Sequence, residues 1–397
     1  LKITFKFSTV KKRPPIHVCG TKIALWKIRD LIELLKRDRG GNCLRDLPQE
    51  TNLFKEENMN KNIVKRQRLT LICLFTFSLA ILCASRATAE PDFDGLVVFG
   101  TSLSDPGNLF ALLGGVNVPP SYDFEDPLLV PTSAYAIGGH HLSNGDTWIE
   151  QLAKQLRMSR SALPAFRDAN PYAMNYAIAG TRAGPTAPIP VLTFEYQVSA
   201  FLDDVGGVAP SNKLYVIEIG VNDVRDALIV YLTCFAGGGT EAVCFDAAIG
   251  VLDAALKEIQ DQVGILQNAG ANKFFYLNVA ELGDLPSIKT LDFISGSNGA
   301  LIVLANTLAQ YFNAGLDGIF GPLPNATLFD VYGLTDKIVT APEDYGLTNA
   351  EDACVTPNVP PYKCQNPNGY LFWDGVHPTK AGHAIFADAA AAALNGE

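Results

Sequence analysis

Ser102 lies in Val97-Val98-Phe99-Gly100-Thr101-Ser102-Leu103-Ser104-Asp105, where an apolar, strand-like run ends in a turn bounded by glycine. Far downstream, Asp374-Gly375-Val376-His377 offers a histidine and a carboxylate three residues apart. A serine hydroxyl attacks an acyl carbon only when a base takes its proton and a third group holds that base. These residue types therefore point to covalent acyl chemistry. Gly100 allows a sharp turn that would expose the serine Oγ, and Gly375 permits the tight turn that the three-residue spacing demands. Taken alone, Ser102 reads equally well as a helix N-cap, because serine favours such turns. Ser104 is a nearby competitor for the nucleophile's role.

The sequence contains five histidines. His17 falls in an N-terminal stretch that reads as separate from the working domain. His140 and His141 belong to an irregular region, 113–143, rich in proline, glycine and aromatic residues, and read as surface or substrate-facing groups. The region itself reads as a loop over the site. His383 falls within a helical pattern and reads as structural. His377 is left as the base. Asp374 would accept from one ring nitrogen, fix the tautomer and stabilise the imidazolium. Activity should then rise with pH as a histidine sheds its proton.

Elements that could position these groups alternate along the chain. Short apolar strand candidates are Leu96–Phe99, Asn175–Ala179, Leu214–Ile219, Phe274–Val279 and Thr327–Val331. Between and after them, helical patterns run over Thr147–Arg157, Phe194–Leu202, Ala247–Leu266, Gly299–Leu316 and Thr379–Leu394. Such alternation predicts an α/β layer with a parallel sheet, whose reactive loops sit at the carboxyl ends of the strands. Residues 101, 180 and 220–222 fall there. The chain has no internal repeat and no low-complexity linker.

Four separated blocks follow one another in order: Gly100-Thr101-Ser102-Leu103 with Ser104-Asp105-Pro106-Gly107-Asn108, then Asn175-Tyr176-Ala177-Ile178-Ala179-Gly180, then Gly220-Val221-Asn222-Asp223, and last Asp374-Gly375-Val376-His377-Pro378. In this pattern the chain resembles the GDSL, or SGNH, hydrolase family. Ser143-Asn144-Gly145 and Gln197-Val198 resemble its long-chain subgroup. The resemblance implies a three-layer α/β/α sandwich around a five-stranded parallel sheet, flavodoxin-like in order. It makes Ser102 the nucleophile, with His377 and Asp374 completing a triad. It makes the backbone N–H groups of Ser102 and Gly180 and the side chain of Asn222 the oxyanion donors, each worth roughly 2.7–4 kcal/mol in the transition state. Read without it, Gly180 is an ordinary strand-end glycine and Asn222 a helix cap. Asp223 reads as a cap or structural hydrogen-bond partner. One departure stands out: the family usually carries aspartate before the nucleophile, where this chain has Thr101. Hydrogen bonding beside Ser102 must therefore differ.

The implied activity is that of a secreted ester hydrolase with a small-molecule ester or lipid substrate, using no cofactor and no metal. An acyltransferase would use the same triad, and an inactive binding scaffold would keep the same fold. The Gly-x-Ser-x-Gly elbow and the P-loop are absent.

Composition and leader fit this reading. From Met59 the sequence runs through a basic segment, an apolar stretch from Leu69 to Ser85, and Ala87-Thr88-Ala89, the plan of a signal peptide over 59–89. Residues 1–58, rich in lysine and arginine, read as non-native or disordered leader, and 90–397 as the hydrolase domain, with no stable membrane anchor after cleavage. Residues 90–397 hold 13 Lys and Arg against 34 Asp and Glu, a net charge of −21. That balance disfavours nucleic acid and anionic membranes as partners. Of eight cysteines, Cys234, Cys244, Cys354 and Cys364 lie in this part, in two pairs ten residues apart. In an exported chain they read as local disulfides, 234–244 and 354–364. No Cys-x-x-Cys or neighbouring histidine suggests zinc.

Overall fold

The computed structural model describes residues 91–112, 140–167, 170–184, 186–355 and 363–396. The leader and signal-peptide expectations, and the 113–139 part of the irregular region, lie outside these residues.

Strands β1 (Leu96–Gly100), β2 (Leu214–Glu218) and β3 (Phe274–Leu277) are buried along their whole length. Strand β4 (Ala326–Phe329) is partly exposed at the sheet edge. Near-continuous apolar runs suit strands covered on both faces, as parallel sheets require. The four pair in the order β1-β2-β3-β4, all parallel, with Leu96 opposite Leu214 and Gly100 opposite Glu218.

The strand expected at 175–179 is present as a fifth, irregular line beside β1. Val98 donates to the Met174 carbonyl, and the amides of Tyr176 and Ile178 donate to Val98 and Gly100. On its outer edge this line meets an isolated parallel bridge, Pro164 with Asn175, where Ala165 donates to the Asn175 carbonyl and Asn175 to the Leu163 carbonyl. The Asn108 side chain takes up the carbonyls of Asn175 and Ala177, and the Asn175 side chain takes up the Ala177 amide. Side chains thus satisfy backbone groups that a regular ladder would pair. Counted with this line, the sheet has the 2-1-3-4-5 order of flavodoxin-like folds, with reactive loops expected at its switch point.

Helices cover both faces. They are α1 (Asn108–Leu112), α2 (Trp148–Gln155), α3 (Phe194–Asp204), α4 (Val221–Ala236), α5 (Glu241–Ala269), α6 (Pro286–Ser295), α7 (Ala300–Phe320), α8 (Val331–Thr340) and α9 (Lys380–Leu394). Helices α2 and α9 pack together on one face, and α3, α5 and α7 on the other. Alternation along β3 makes the division plain. Phe275 meets Trp148 of α2, whereas Phe274 and Tyr276 meet Phe320 of α7. Phe99 on β1 packs against Phe194 and Phe201 of α3.

Helices α1, α4, α6 and α8 are additions to the sequence-based expectation. The β-branched run in Leu228-Ile229-Val230-Tyr231-Leu232 weakens the helical signal of α4. Its continuation into α5 is closed by Cys234 and Cys244, whose Cα atoms lie 5.4 Å apart in a disulfide. A small parallel pair, β5 (Asn349–Ala353) and β6 (Tyr370–Phe372), precedes α9, with Cys354 and Cys364 likewise joined at a Cα separation of 5.4 Å. Among the described residues no helix is long and apolar enough to cross a membrane.

Candidate active site

Ser102 lies two residues past the end of β1, at the carboxyl edge of the sheet. Its Oγ lies 2.9 Å from His377 Nε2, across 275 residues of chain. His377 Nδ1 lies 2.8 Å from Asp374 Oδ2. Asp374 is fully buried and His377 nearly so, while Ser102 stays partly accessible. The second carboxylate oxygen, Oδ1, accepts the backbone N–H groups of Val376 and His377, each at 2.7 Å. Asp374 thus folds its own turn as well as gripping the imidazole. With the carboxylate on Nδ1, the N–H tautomer is fixed there, leaving Nε2 to accept from the serine hydroxyl.

The loop carrying His377 is held from outside. The Ser143 hydroxyl donates to the Pro378 carbonyl at 2.8 Å, and Asn144 Oδ1 accepts the Lys380 N–H at 2.6 Å. Thr379 caps α9 by accepting from Gly382. Ser143 and Asn144 therefore anchor the loop that carries His377, a task their sequence alone did not disclose.

Gly180 and Asn222 face the same edge of the sheet, at the ends of the fifth line and of β2. Gly180 has φ +83°, a left-handed conformation that favours glycine. Asn222 opens α4 and donates one Nδ2 hydrogen to the Thr181 carbonyl at 2.8 Å, which leaves its second hydrogen for a ligand. The residue before this helix, Gly220, has φ +121°, and a Cβ there would fall 2.0 Å from the Phe312 ring. Asp223 is structural: buried in α4, it accepts the N–H groups of Ala183 and Gly184. Burial pushes its carboxyl up to about 6.

Several residues that the sequence left unassigned hold these loops. Gln197 of α3 pairs with both the N–H and the carbonyl of Gly100 and with the Thr181 hydroxyl, linking the serine turn to the glycine loop. Buried Asp105 accepts from Gly107, Asn108, Leu109 and Ala179. Arg182 donates to the Gly180 carbonyl and to both carboxylate oxygens of Asp226 on α4. A faint signal existed in the spacing: Arg182 stands two residues after Gly180, and Asp226 four after Asn222.

Beside the Ser102 turn, Glu218 at the end of β2 accepts the Thr101 N–H at 2.9 Å and the Thr101 hydroxyl at 2.8 Å. Burial pushes this carboxyl up to about 7, opposed by its bonds from Thr101 and Ser104 and by its interaction with His377. Ser104, the competing hydroxyl, is fully buried and accepts from Trp148 Nε1 at 3.0 Å.

The other histidines divide differently from expectation. His140 stacks on Phe110 at 3.6 Å between ring centroids. His141 is buried, not surface, because its Nε2 lies 2.7 Å from Glu150 of α2. His383 is buried in α9, accepts the Trp148 N–H, and is held down at about 3 by burial. His141, Asp146 and Glu150 come within 4.8 Å of one another, the nearest approach to a metal-ligand cluster among the described residues. Lys154 and Lys380 already place positive charge at Asp146, and Glu150 is engaged in capping Thr147.

The sequence model of the GDSL-like Lipase/Acylhydrolase family matches residues 96–390, a span that contains every group just described. The chain belongs to this family. A GDSL esterase/lipase of Arabidopsis thaliana is 24% identical over 338 residues, covering 70% of this chain and 87% of its own length. The thermolabile hemolysin of Vibrio parahaemolyticus is 26% identical over 324 residues, covering 76% of this chain and 64% of its own. Among solved structures, LAE5, an alpha/beta hydrolase from the Lake Arreo metagenome, is 17% identical, covering 77% of this chain and 97% of its own; its TM-score of 0.36 is too low to carry an argument. As a GDSL hydrolase, the chain has the α/β architecture with a parallel sheet that its blocks implied.

Proposed function

We propose that this GDSL hydrolase cleaves carboxylic esters through an acyl-serine intermediate, outside the cytoplasm. The observation that carries the reading is the relay of 2.9 Å and 2.8 Å from Ser102 through His377 to Asp374. Ser102 Oγ attacks the ester carbonyl as His377 Nε2 takes its proton. The carbonyl oxygen gathers negative charge, which the N–H groups of Ser102 and Gly180 and the free Asn222 Nδ2 hydrogen receive. Collapse expels the alcohol, protonated by His377. Water, deprotonated by the same nitrogen, then releases the acid and restores the serine. Asp374 keeps the tautomer and stabilises the imidazolium in both halves.

Export is supported by the disulfides Cys234–Cys244 and Cys354–Cys364, which persist in oxidising compartments. The substrate class is a small ester or lipid. The test is hydrolysis of p-nitrophenyl esters from C2 to C16 by the purified protein, with Ser102→Ala alongside. Wild-type turnover lost in the variant is expected, with the circular-dichroism spectrum unchanged. Equal ester cleavage by Ser102→Ala would refute the reading.

A further inference from the structure

Strand β2 reads Leu214-Tyr215-Val216-Ile217-Glu218, a buried apolar strand that ends in an acid only 4% exposed. A carboxylate in such a place needs partners, and it finds them on the turn that carries the nucleophile. Glu218 pairs in register with Gly100. A Cβ on Gly100 would lie 2.9 Å from Glu218 Oε2, so the bare glycine leaves the carboxylate its room. Oε2 accepts the Thr101 N–H, and Oε1 the Thr101 hydroxyl. Ser104, which acts on the same carboxylate, has its oxygen fixed by Trp148 and its proton free for Glu218. Each of these contacts is a donor, which is the set that an ionised carboxylate takes.

We propose that Glu218 is a positioning residue for the nucleophile, its buried carboxylate on β2 replacing, through Thr101, the charge that this family usually carries beside the serine. Thr101 is the adaptor. Its N–H and hydroxyl both point at Glu218, which leaves the next N–H, that of Ser102, for the oxyanion. The inference rests on the reading of Ser102 as nucleophile. Two consequences follow from the placement. Held at Thr101, the turn keeps Ser102 Oγ on His377 Nε2. In addition, the charge lies near enough to His377 to attract the imidazolium formed during attack. Around Glu218, the titratable group acting on it is His377, from the loop after β6. Thr101 and Ser104, from the turn after β1, and Trp148 of α2 are neutral.

The test is a cycle of Glu218→Gln, Thr101→Asp and the double variant, with Thr101→Val as a second probe of the adaptor. Kinetics on the best p-nitrophenyl ester are combined with NMR titration of the histidine rings. Glu218→Gln keeps shape and loses charge, so kcat should fall about 10- to 100-fold with KM nearly unchanged. The His377 resonance should titrate at lower pH than in the wild type. Thr101→Asp alone sets two carboxylates against each other and should also fall. The double variant returns one carboxylate to the pocket and should recover to within a few-fold of wild type, a coupling that two independent losses of stability would not give. Thr101→Val should lower kcat in the same direction as Glu218→Gln. Unchanged kcat and titration in folded Glu218→Gln, or a double variant no better than its worse parent, would overturn the proposal. If the wild type cleaves no ester, the hydrolase reading falls, and the His377 titration in wild type and Glu218→Gln still decides where the charge acts.

Discussion

Arg182 holds Asp226 through two N–H···O bonds of 2.8 and 3.0 Å and turns its remaining nitrogen onto the Gly180 carbonyl at 2.6 Å. One side chain thereby fixes the glycine loop to the helix that opens with Asn222. These two of the three candidate oxyanion donors come from different strand ends, and this fork ties them together. The pair is mostly buried, and the charge of Asp226, reinforced by Asp223, holds the guanidinium above even its usual value.

Removing the fork should therefore act on the transition state more than on substrate binding. Arg182→Ala is expected to lower kcat about 10- to 100-fold with a small change in KM, because misplaced donors lose their worth where the charge develops. Arg182→Lys should recover little, since an ammonium cannot make the parallel pair. Steady-state kinetics of the three proteins on one ester decide the matter. A KM effect with kcat intact would show that Arg182 serves binding instead.

Asp374→Asn keeps the shape of the turn and removes the charge that selects the tautomer. The expected loss in kcat is about 10⁴-fold, the size seen when a triad loses its carboxylate. Because Asp374 also accepts the Val376 and His377 amides, thermal unfolding should shift downward in the same variant. A fall in stability without the kinetic loss would place Asp374 in the turn alone.

His383 is 1% exposed and is held at about 3 by burial, with His377 and His141 adding repulsion. It is neutral in the folded protein and titrates near 6.5 when unfolded. Its folded value is depressed, so its contribution is complete above about pH 6.5 and is lost as pH falls toward 3. Between pH 7 and pH 5 this one group should remove about 2 kcal/mol of stability. Urea unfolding at the two values, repeated with His383→Asn, measures it. Asparagine keeps an acceptor for the Trp148 N–H and cannot titrate, so the drop should shrink. An equal drop in both proteins would assign the acid sensitivity elsewhere.

The Cys234–Cys244 bridge closes a loop of ten residues between α4 and α5. Replacing both cysteines by serine should cost about 2.7 kcal/mol through the freedom returned to the unfolded chain. The bridge lies at the end of α4 opposite to Asn222, so turnover of a small ester at 25 °C should hold. Differential scanning calorimetry and an ester assay on the same sample separate the two effects. Loss of turnover at unchanged stability would tie the bridge to the site.

What could be read from the sequence was what chemistry imposes on local residue types. Ser102, Gly180, Asn222, Asp374 and His377 stand in blocks whose spacing is short, and the structure brings them to one edge of the sheet. Strands β1, β2 and β3 announce themselves as unbroken apolar runs. The groups that hold the blocks to one another were not legible. Gln197 reaches Gly100 across 97 residues and Thr101 reaches Glu218 across 117, and no local pattern encodes a contact of that range. Glu218 is disguised as well, since an acid at the end of a strand ordinarily reads as its solvated tip. Helix α6 carried the signal of proline in its first turn, but ten residues with a modest apolar face do not stand out. His141 was misjudged because an irregular segment gives no periodicity to signal burial, although its partner Glu150 lies in the helix that directly follows.

Because Ser102 and His377 are 275 residues apart, they are made at different times. At 5–20 residues per second, Ser102 leaves the ribosome roughly 14–55 s before His377. During that interval the growing chain carries a hydroxyl with no partner able to activate it. Competence arrives only when the Asp374 turn has been synthesised and α9 has docked behind it. Under the proposed mechanism, turnover is therefore among the last properties the protein acquires, and a chain cut short before His377 would keep the serine turn without the group proposed to activate it.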